Sequence, residues 1–286
     1  MFSRILVATD LSEASSCVVG AMQELKKLGS KEFILVHCLN MDKPAMVAEL
    51  QDFYRPALDA QCAALEKQGF KTEAIVAPGT SHLEINRLAK EKNCSMIVVG
   101  SQGQSMSGQI LLGGVASELI HRAVKPVLIL RVRLAEEKGP KMCSLARFDP
   151  LNHILFPTDF SANADQATGY LRRLAASGAK EITLLHVHDQ TRIDKNRLEE
   201  IQPLHKLRLE TLKVELEKDA GPRVNIELPF GLPAREILAR VKDEKFSLVV
   251  MGSQGLGYFD EIFLGSISHN VARHARISVM LVPMPR

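Results

Sequence analysis

The sequence predicts two doubly wound α/β domains in tandem. Three observations carry this expectation. One pattern occurs twice in the same order, short apolar runs alternate with amphipathic stretches of helical period, and 286 residues suit two domains. ILVATDLS at 5–12 returns as ILFPTDFS at 154–161, and VHC at 36–38 returns at the same offset as LHV at 185–187. IVVGSQG at 97–103 and ILLGG at 110–114 return as VVMGSQG at 249–255 and IFLGS at 262–266, slipped by three residues. Apolar and glycine positions matching in one order mark an internal duplication.

The elements follow in chain order. In the first half the strand-like runs are Ile5–Thr9, Phe33–Val36, Ala74–Ala77, Met96–Gly100 and Val127–Val132. In the second they are Ile154–Thr158, Ile182–Val187, Val224–Pro229, Leu248–Gly252 and Val279–Val282. Runs that are apolar throughout, not alternating, indicate strands buried on both faces. Ala14–Leu28, Leu83–Lys92, Leu204–Lys218 and Ala234–Asp243 have helical period between them, with Pro203 expected in the first turn of its helix. Strands separated by helical crossovers make a parallel sheet covered by helices. The expected division is a first module at 1–133, a second at 151–286, and an exposed connection at 134–150, where charges, Gly139, Pro140 and Pro150 interrupt any apolar period.

Composition excludes several classes. Apolar residues at 46% and charged residues at 24% are a globular balance. A net charge of +3 is spread without a basic arm, so nucleic acid is not expected as a partner. No apolar run approaches a membrane span, and MFSRILVATD reads as a strand, not a signal peptide. Five cysteines without a CxxC pair suggest a reduced, cytoplasmic protein lacking a structural zinc site.

Ligands of open parallel sheets bind at the carboxyl ends of the strands, where the winding reverses. Each first strand ends there in Thr-Asp-x-Ser: Thr9, Asp10 and Ser12, then Thr158, Asp159 and Ser161. Helix capping accounts for such residues, and so does a carboxylate placed for ribose hydroxyls. Each fourth strand runs into Gly100, Gly103 and Gly113, or Gly252, Gly255 and Gly265, at identical spacing. The third glycine opens a helix, whose N–H groups and dipole favour a phosphate. Neither GxxxxGK[ST] nor GxGxxG after the first strand occurs. The histidine pair His186 and His188, with Asp189, reads first as hydrogen bonding or packing, and no metal site is assigned. For Cys38 and Cys62 redox sensitivity is one reading and buried packing the more common one. Met46, Val47, Leu50 and Phe53 are the one guess at a surface for an unknown protein partner.

Pro157-Thr158-Asp159, Val187 and Gly252-x2-Gly255-x9-Gly265-Ser266 resemble the universal stress protein family, over essentially the whole chain as two modules. Its ATP-binding members carry G-2x-G-9x-G-[S/T] after the fourth strand and an Asp ending the first. The resemblance implies a Rossmann-like, five-stranded sheet of order 3-2-1-4-5 in each module. It also implies ATP, AMP or ADP as ligand, with Mg²⁺ as an accompanying ion. Asp159 would hold the ribose and the Val187 backbone the adenine, while Met251, Gly252, Gly255, Gly265, Ser266 and Ile267 line the phosphate side. The first module departs from the pattern: Ala8 replaces the proline, Cys38 the valine and Gly114 the serine, so the second module is the better equipped.

The expected function is a cytoplasmic stress-response protein with the nucleotide as a regulatory or structural ligand. The alternatives are a scaffold that binds no nucleotide and a slow ATPase. Residues 101–112 and 253–264 contain neither Lys nor Arg, so efficient phosphoryl transfer is not expected. Fifth strands commonly pair modules in this family, which implies a pseudo-dimer within one chain, with a homodimer as the further option.

Overall fold

The computed structural model of the chain describes residues 2–41, 44–101, 112–135, 142–145, 148–218, 221–242, 245–255 and 264–284. The chain divides into two compact units between Phe148 and Asp149. In the first, β1 (Arg4–Ala8), α1 (Glu13–Gly20), a 3₁₀ helix (Ala21–Leu28), β2 (Glu32–Leu39) and α2 (Pro44–Lys67) come first. Then follow β3 (Lys71–Pro78), α3 (Ser81–Glu91), β4 (Met96–Gly100), α4 (Gly114–Arg122) and β5 (Val127–Leu130). The strands are parallel in the order β3-β2-β1-β4-β5. Ile5, Leu6 and Val7 are all fully buried although neighbours in a strand face opposite ways, so helices cover both faces of the sheet.

The segment expected as an exposed connection takes part in strand pairing. β6 (Val132–Ala135) pairs antiparallel with β7 (Met142–Leu145), and Phe148 and Leu151 beyond it are buried. Cys17 on α1 is disulfide-bonded, so the expectation of a fully reduced set of cysteines fails there. Cys38, Cys62 and Cys94 are free thiols. Burial pushes the Cys38 and Cys94 thiols up to about 11 and raises Cys62, which keeps them protonated and unreactive.

The second unit repeats the plan with one elaboration. It runs β8 (His153–Pro157), α5 (Ala162–Ala176), β9 (Glu181–Leu185), β10 (His188–Asp189), α6 (Lys195–Leu216) and β11 (Arg223–Glu227). β12 (Phe230–Gly231), α7 (Pro233–Arg240), β13 (Leu248–Gly252), α8 (Ser266–His274) and β14 (Ser278–Val282) complete it. The sheet is parallel, ordered β11-β9-β8-β13-β14, and the short β10 pairs with β12 beyond it. Both sheets therefore have the order 3-2-1-4-5. α6 starts earlier than its proline suggests. Asp194 caps it by accepting the Arg197 N–H at 2.8 Å, and Pro203 lies inside the helix. A cap outside a proline lets the helix begin upstream and tolerate one missing hydrogen bond. Leu209 and Leu216 face inward as their spacing requires. In α2, Met46 and Phe53 are solvent-exposed. Among the described residues no helix is long and apolar enough to cross a membrane.

One buried histidine sits in the second sheet. His153 on β8 has its Nε2 2.9 Å from the Thr183 hydroxyl and its ring against Phe246. Burial lowers its pKa below 6.5, against a smaller opposing pull from Glu181. The unfolded chain therefore takes up this proton first as pH falls, so the group's contribution is present above about pH 6.5 and is lost below it. Thermal melts between pH 7 and pH 5 should show falling stability, with a shallower decline in His153→Gln; parallel declines would contradict this assignment.

Candidate functional site

The turn after the first strand is built identically in both units. In the second, the Thr158 hydroxyl accepts the Phe160 N–H at 3.1 Å, Asp159 Oδ1 accepts the Ser161 N–H at 3.0 Å, and Ser161 Oγ accepts the Ala164 N–H at 3.2 Å. In the first, Thr9, Asp10 and Ser12 accept from Leu11, Ser12 and Ser15 at 3.1, 3.1 and 3.2 Å. The serines are the helix caps, so capping does not account for the aspartates. This ladder holds Leu11 and Phe160 at φ of 61° and 59°, a left-handed conformation that bulky residues seldom adopt. Strain of that kind is tolerated where the surrounding bonds over-determine the turn.

The described glycines after the fourth strand lie beside this turn because β1 pairs with β4, and β8 with β13. A Cβ placed on Gly255 would lie 2.7 Å from Asp159 Oδ2, so glycine here lets the loop backbone approach the carboxylate. A Cβ on Gly252 would lie 2.6 Å from Asn163 Oδ1 and 3.1 Å from the Asn163 backbone carbon. Gly265 closes the loop by donating its N–H to Ser253 O at 2.8 Å, as Gly113 does to Ser101 O at 2.9 Å. Gly113 and Gly265 are then the N-caps of α4 and α8.

Asn163 is a site residue that the sequence reading missed. It is 3% exposed; its Oδ1 accepts the Gln254 N–H at 2.7 Å and its amide donates to Val282 O at 3.1 Å. It thereby ties α5 to the glycine loop and to β14. Ser268 adds a hydroxyl bond to Gly252 O at 3.1 Å. The first unit has Ala14 and Ala116 at the matching positions. The available signal was the mismatch of polar and alanine residues between otherwise matching repeats.

A cavity of about 260 Å³ opens at this point in the second unit. Pro157, Thr158, Asp159, Val187, Met251, Gly252, Gly255, Gly265, Ser266 and Ile267 all line it. β9 stops pairing with β8 at Leu185, and among the described residues the Val187 N–H takes no backbone partner. The first unit has a cavity of about 340 Å³ lined by Thr9, Asp10, Cys38, Gly100, Gly113 and Gly114; Gly103 lies outside the described residues.

Histidines form the far wall of the second cavity. His186 Nδ1 is 2.9 Å from Thr158 O, and His205 from α6 brings its Nδ1 within 3.2 Å of His188 Nε2. Burial lowers the pKa of all three, that of His186 to about 4, with the Thr158 carbonyl opposing and the other two histidines adding to the shift. The Asp189 carboxylate is turned to its own loop, accepting the Thr191 N–H and O–H at 2.9 and 2.7 Å. The third member of the cluster is thus His205, not Asp189.

The Gly252 contact predicts a measurable asymmetry. Gly252→Ala should cost about 1–3 kcal/mol in chemical denaturation, because a methyl group overpacks Asn163. Gly114→Ala, which meets nothing within 4 Å, should stay within about 0.5 kcal/mol of wild type.

The universal stress protein family model matches residues 1–131 and 150–283. A universal stress protein of Methanocaldococcus jannaschii is 32% identical over 151 residues, covering 45% of this chain and 93% of its own. One from Mycobacterium tuberculosis is 25% identical over 301 residues, covering 97% of this chain and 95% of its own. The crystal structure of an Archaeoglobus fulgidus universal stress protein matches at 25% identity with a TM-score of 0.76, covering 99% of both chains. With both repeats matched by the family model and a structural relative spanning its length, the chain belongs to the universal stress protein family.

Proposed function

We propose that the second unit binds ATP or a related adenine nucleotide as a regulatory or structural ligand. The observation that carries this reading is the approach of Gly255 to Asp159 Oδ2, which leaves room for backbone and carboxylate but not for a side chain. Asp159 would accept hydrogen bonds from the ribose hydroxyls, and the Val187 peptide would meet the edge of the adenine. The N–H groups at the start of α8 and the Ser266 hydroxyl would hold the phosphates, where the helix dipole favours negative charge. Mg²⁺ would travel with the phosphates and offset their charge, since residues 253–264 supply no cation. The same lack of Lys or Arg argues against efficient phosphoryl transfer.

The first unit keeps Asp10 and its glycines but has neither the Asn163 bridge nor the Ser266 and Ser268 hydroxyls. We assign it weaker nucleotide binding. Identification and counting of the small molecule released on denaturing freshly purified protein tests both assignments. About one adenine nucleotide per chain is expected, lost in Asp159→Ala and retained in Asp10→Ala. In titrations of emptied protein, Asp159→Ala should weaken ATP binding by at least about tenfold, the loss of one charged hydrogen bond. Release of nothing, with no binding of added ATP and Mg²⁺, would leave the interaction scaffold as the better description.

A further inference from the structure

Three histidines meet at the end of the second strand of the second unit. His186 follows β9, His188 lies on β10 and His205 comes from α6; each has a ring nitrogen within 4.8 Å of the other two. The geometry points to a site for one divalent transition-metal ion of the zinc class, held by His186, His188 and His205 and open to the adjoining cavity. The site stands on these side chains alone and does not depend on nucleotide binding.

The tautomer of His186 is set by its surroundings. A carbonyl oxygen only accepts, so the Nδ1 that lies 2.9 Å from Thr158 O carries the proton and Nε2 keeps its lone pair. A ring nitrogen braced on a backbone carbonyl, with the other free to coordinate, is the usual outer arrangement of a metal-bound imidazole. His188 Nε2 and His205 Nδ1 are 3.2 Å apart. Two nitrogens on one tetrahedral zinc, each at about 2.0–2.1 Å, stand about 3.3 Å apart, so this pair already has the spacing of ligands. A ring nitrogen of His186 lies within 4.8 Å of both.

A second observation comes from His188 itself. His188 is 1% exposed, and the Pro229 backbone is a hydrogen-bonding neighbour of its ring, without the geometry of a full bond at Nδ1. A ring buried this completely is held in one orientation, with Nε2 facing His205 Nδ1 across 3.2 Å. The first unit separates the shared scaffold from the addition. There His37 keeps the same contact, Nδ1 at 3.0 Å from Thr9 O, but Leu39 stands in the place of His188 and Tyr54 packs on the His37 ring. The carbonyl brace belongs to the fold of both units, and the cluster belongs only to the second. Three nitrogen donors, with Asp189 engaged in its own turn, favour a borderline ion over Mg²⁺ or Ca²⁺.

Titration of the full chain with Co²⁺, without nucleotide, provides the test, because tetrahedral cobalt absorbs visible light far more strongly than the hydrated ion. One Co²⁺ per chain with the tetrahedral spectrum, displaced by Zn²⁺, is expected. His205→Ala should weaken binding by more than about 100-fold, beyond the loss of an outer-shell partner, while His82→Ala on α3 leaves it unchanged. Circular dichroism melts confirm folding, and His205→Gln, which keeps most of the volume, replaces the alanine variant if that one unfolds. Wild-type protein without the tetrahedral spectrum, or His205 variants that bind as tightly as wild type, would overturn the site.

Discussion

Everything at the candidate site depends on the first strand of each unit pairing in parallel with the fourth. Ile154 lies beside Leu248 in one unit, and Ile5 beside Met96 in the other. Parallel pairing forces both strands to end at the same edge of the sheet. The chain winds outward in one direction from the first strand and in the other from the fourth, so no crossover helix covers the gap between them. The aspartate turn and the glycine loop, nearly a hundred residues apart in sequence, face each other for this reason. Glycine is required because the gap is narrower than a side chain.

Duplication makes the molecule its own comparison. Both units keep the ladder from threonine, aspartate and serine to the following N–H groups, and both keep the bond from the third glycine to the serine after the fourth strand. Those bonds are the requirements of the fold. Asn163, Ser266 and Ser268 occur only in the second unit, where two of them brace the loop and the third stands at a helix start. The first unit spends its polar groups differently: the Thr9 hydroxyl donates to Gln61 Oε1 at 2.8 Å, and Gln61 donates in turn to Ser15 Oγ. One scaffold thus supports two differently furnished cavities.

The architecture was legible because it rests on local signals repeated twice. Strands apolar throughout, turn residues at their ends and glycines at a fixed spacing specify a doubly wound sheet without any long-range information. Boundaries moved where a competing signal won, as when the Asp194 cap outweighed Pro203 in starting α6. The connection at 134–150 showed breakers but concealed the β6–β7 pairing, since two four-residue strands leave no periodic trace. His205 was invisible as a partner of His188 because only the packing of α6 against the cavity brings the two together. Asn163 looked like an ordinary residue of a first helical turn.

The left-handed residue after Asp159 has a mechanical consequence. Its ring is turned back into the cavity wall, 4.5 Å from His186 and 5.2 Å from His205 between centroids, with the Arg208 guanidinium 4.1 Å above it. His205 and Arg208 are one turn apart on α6, so the helix grips the joint that carries the carboxylate. A backbone in a narrow, isolated well has little compliance. The Phe160 ring thus joins α6 directly to the turn that carries Asp159 at the mouth of the cavity.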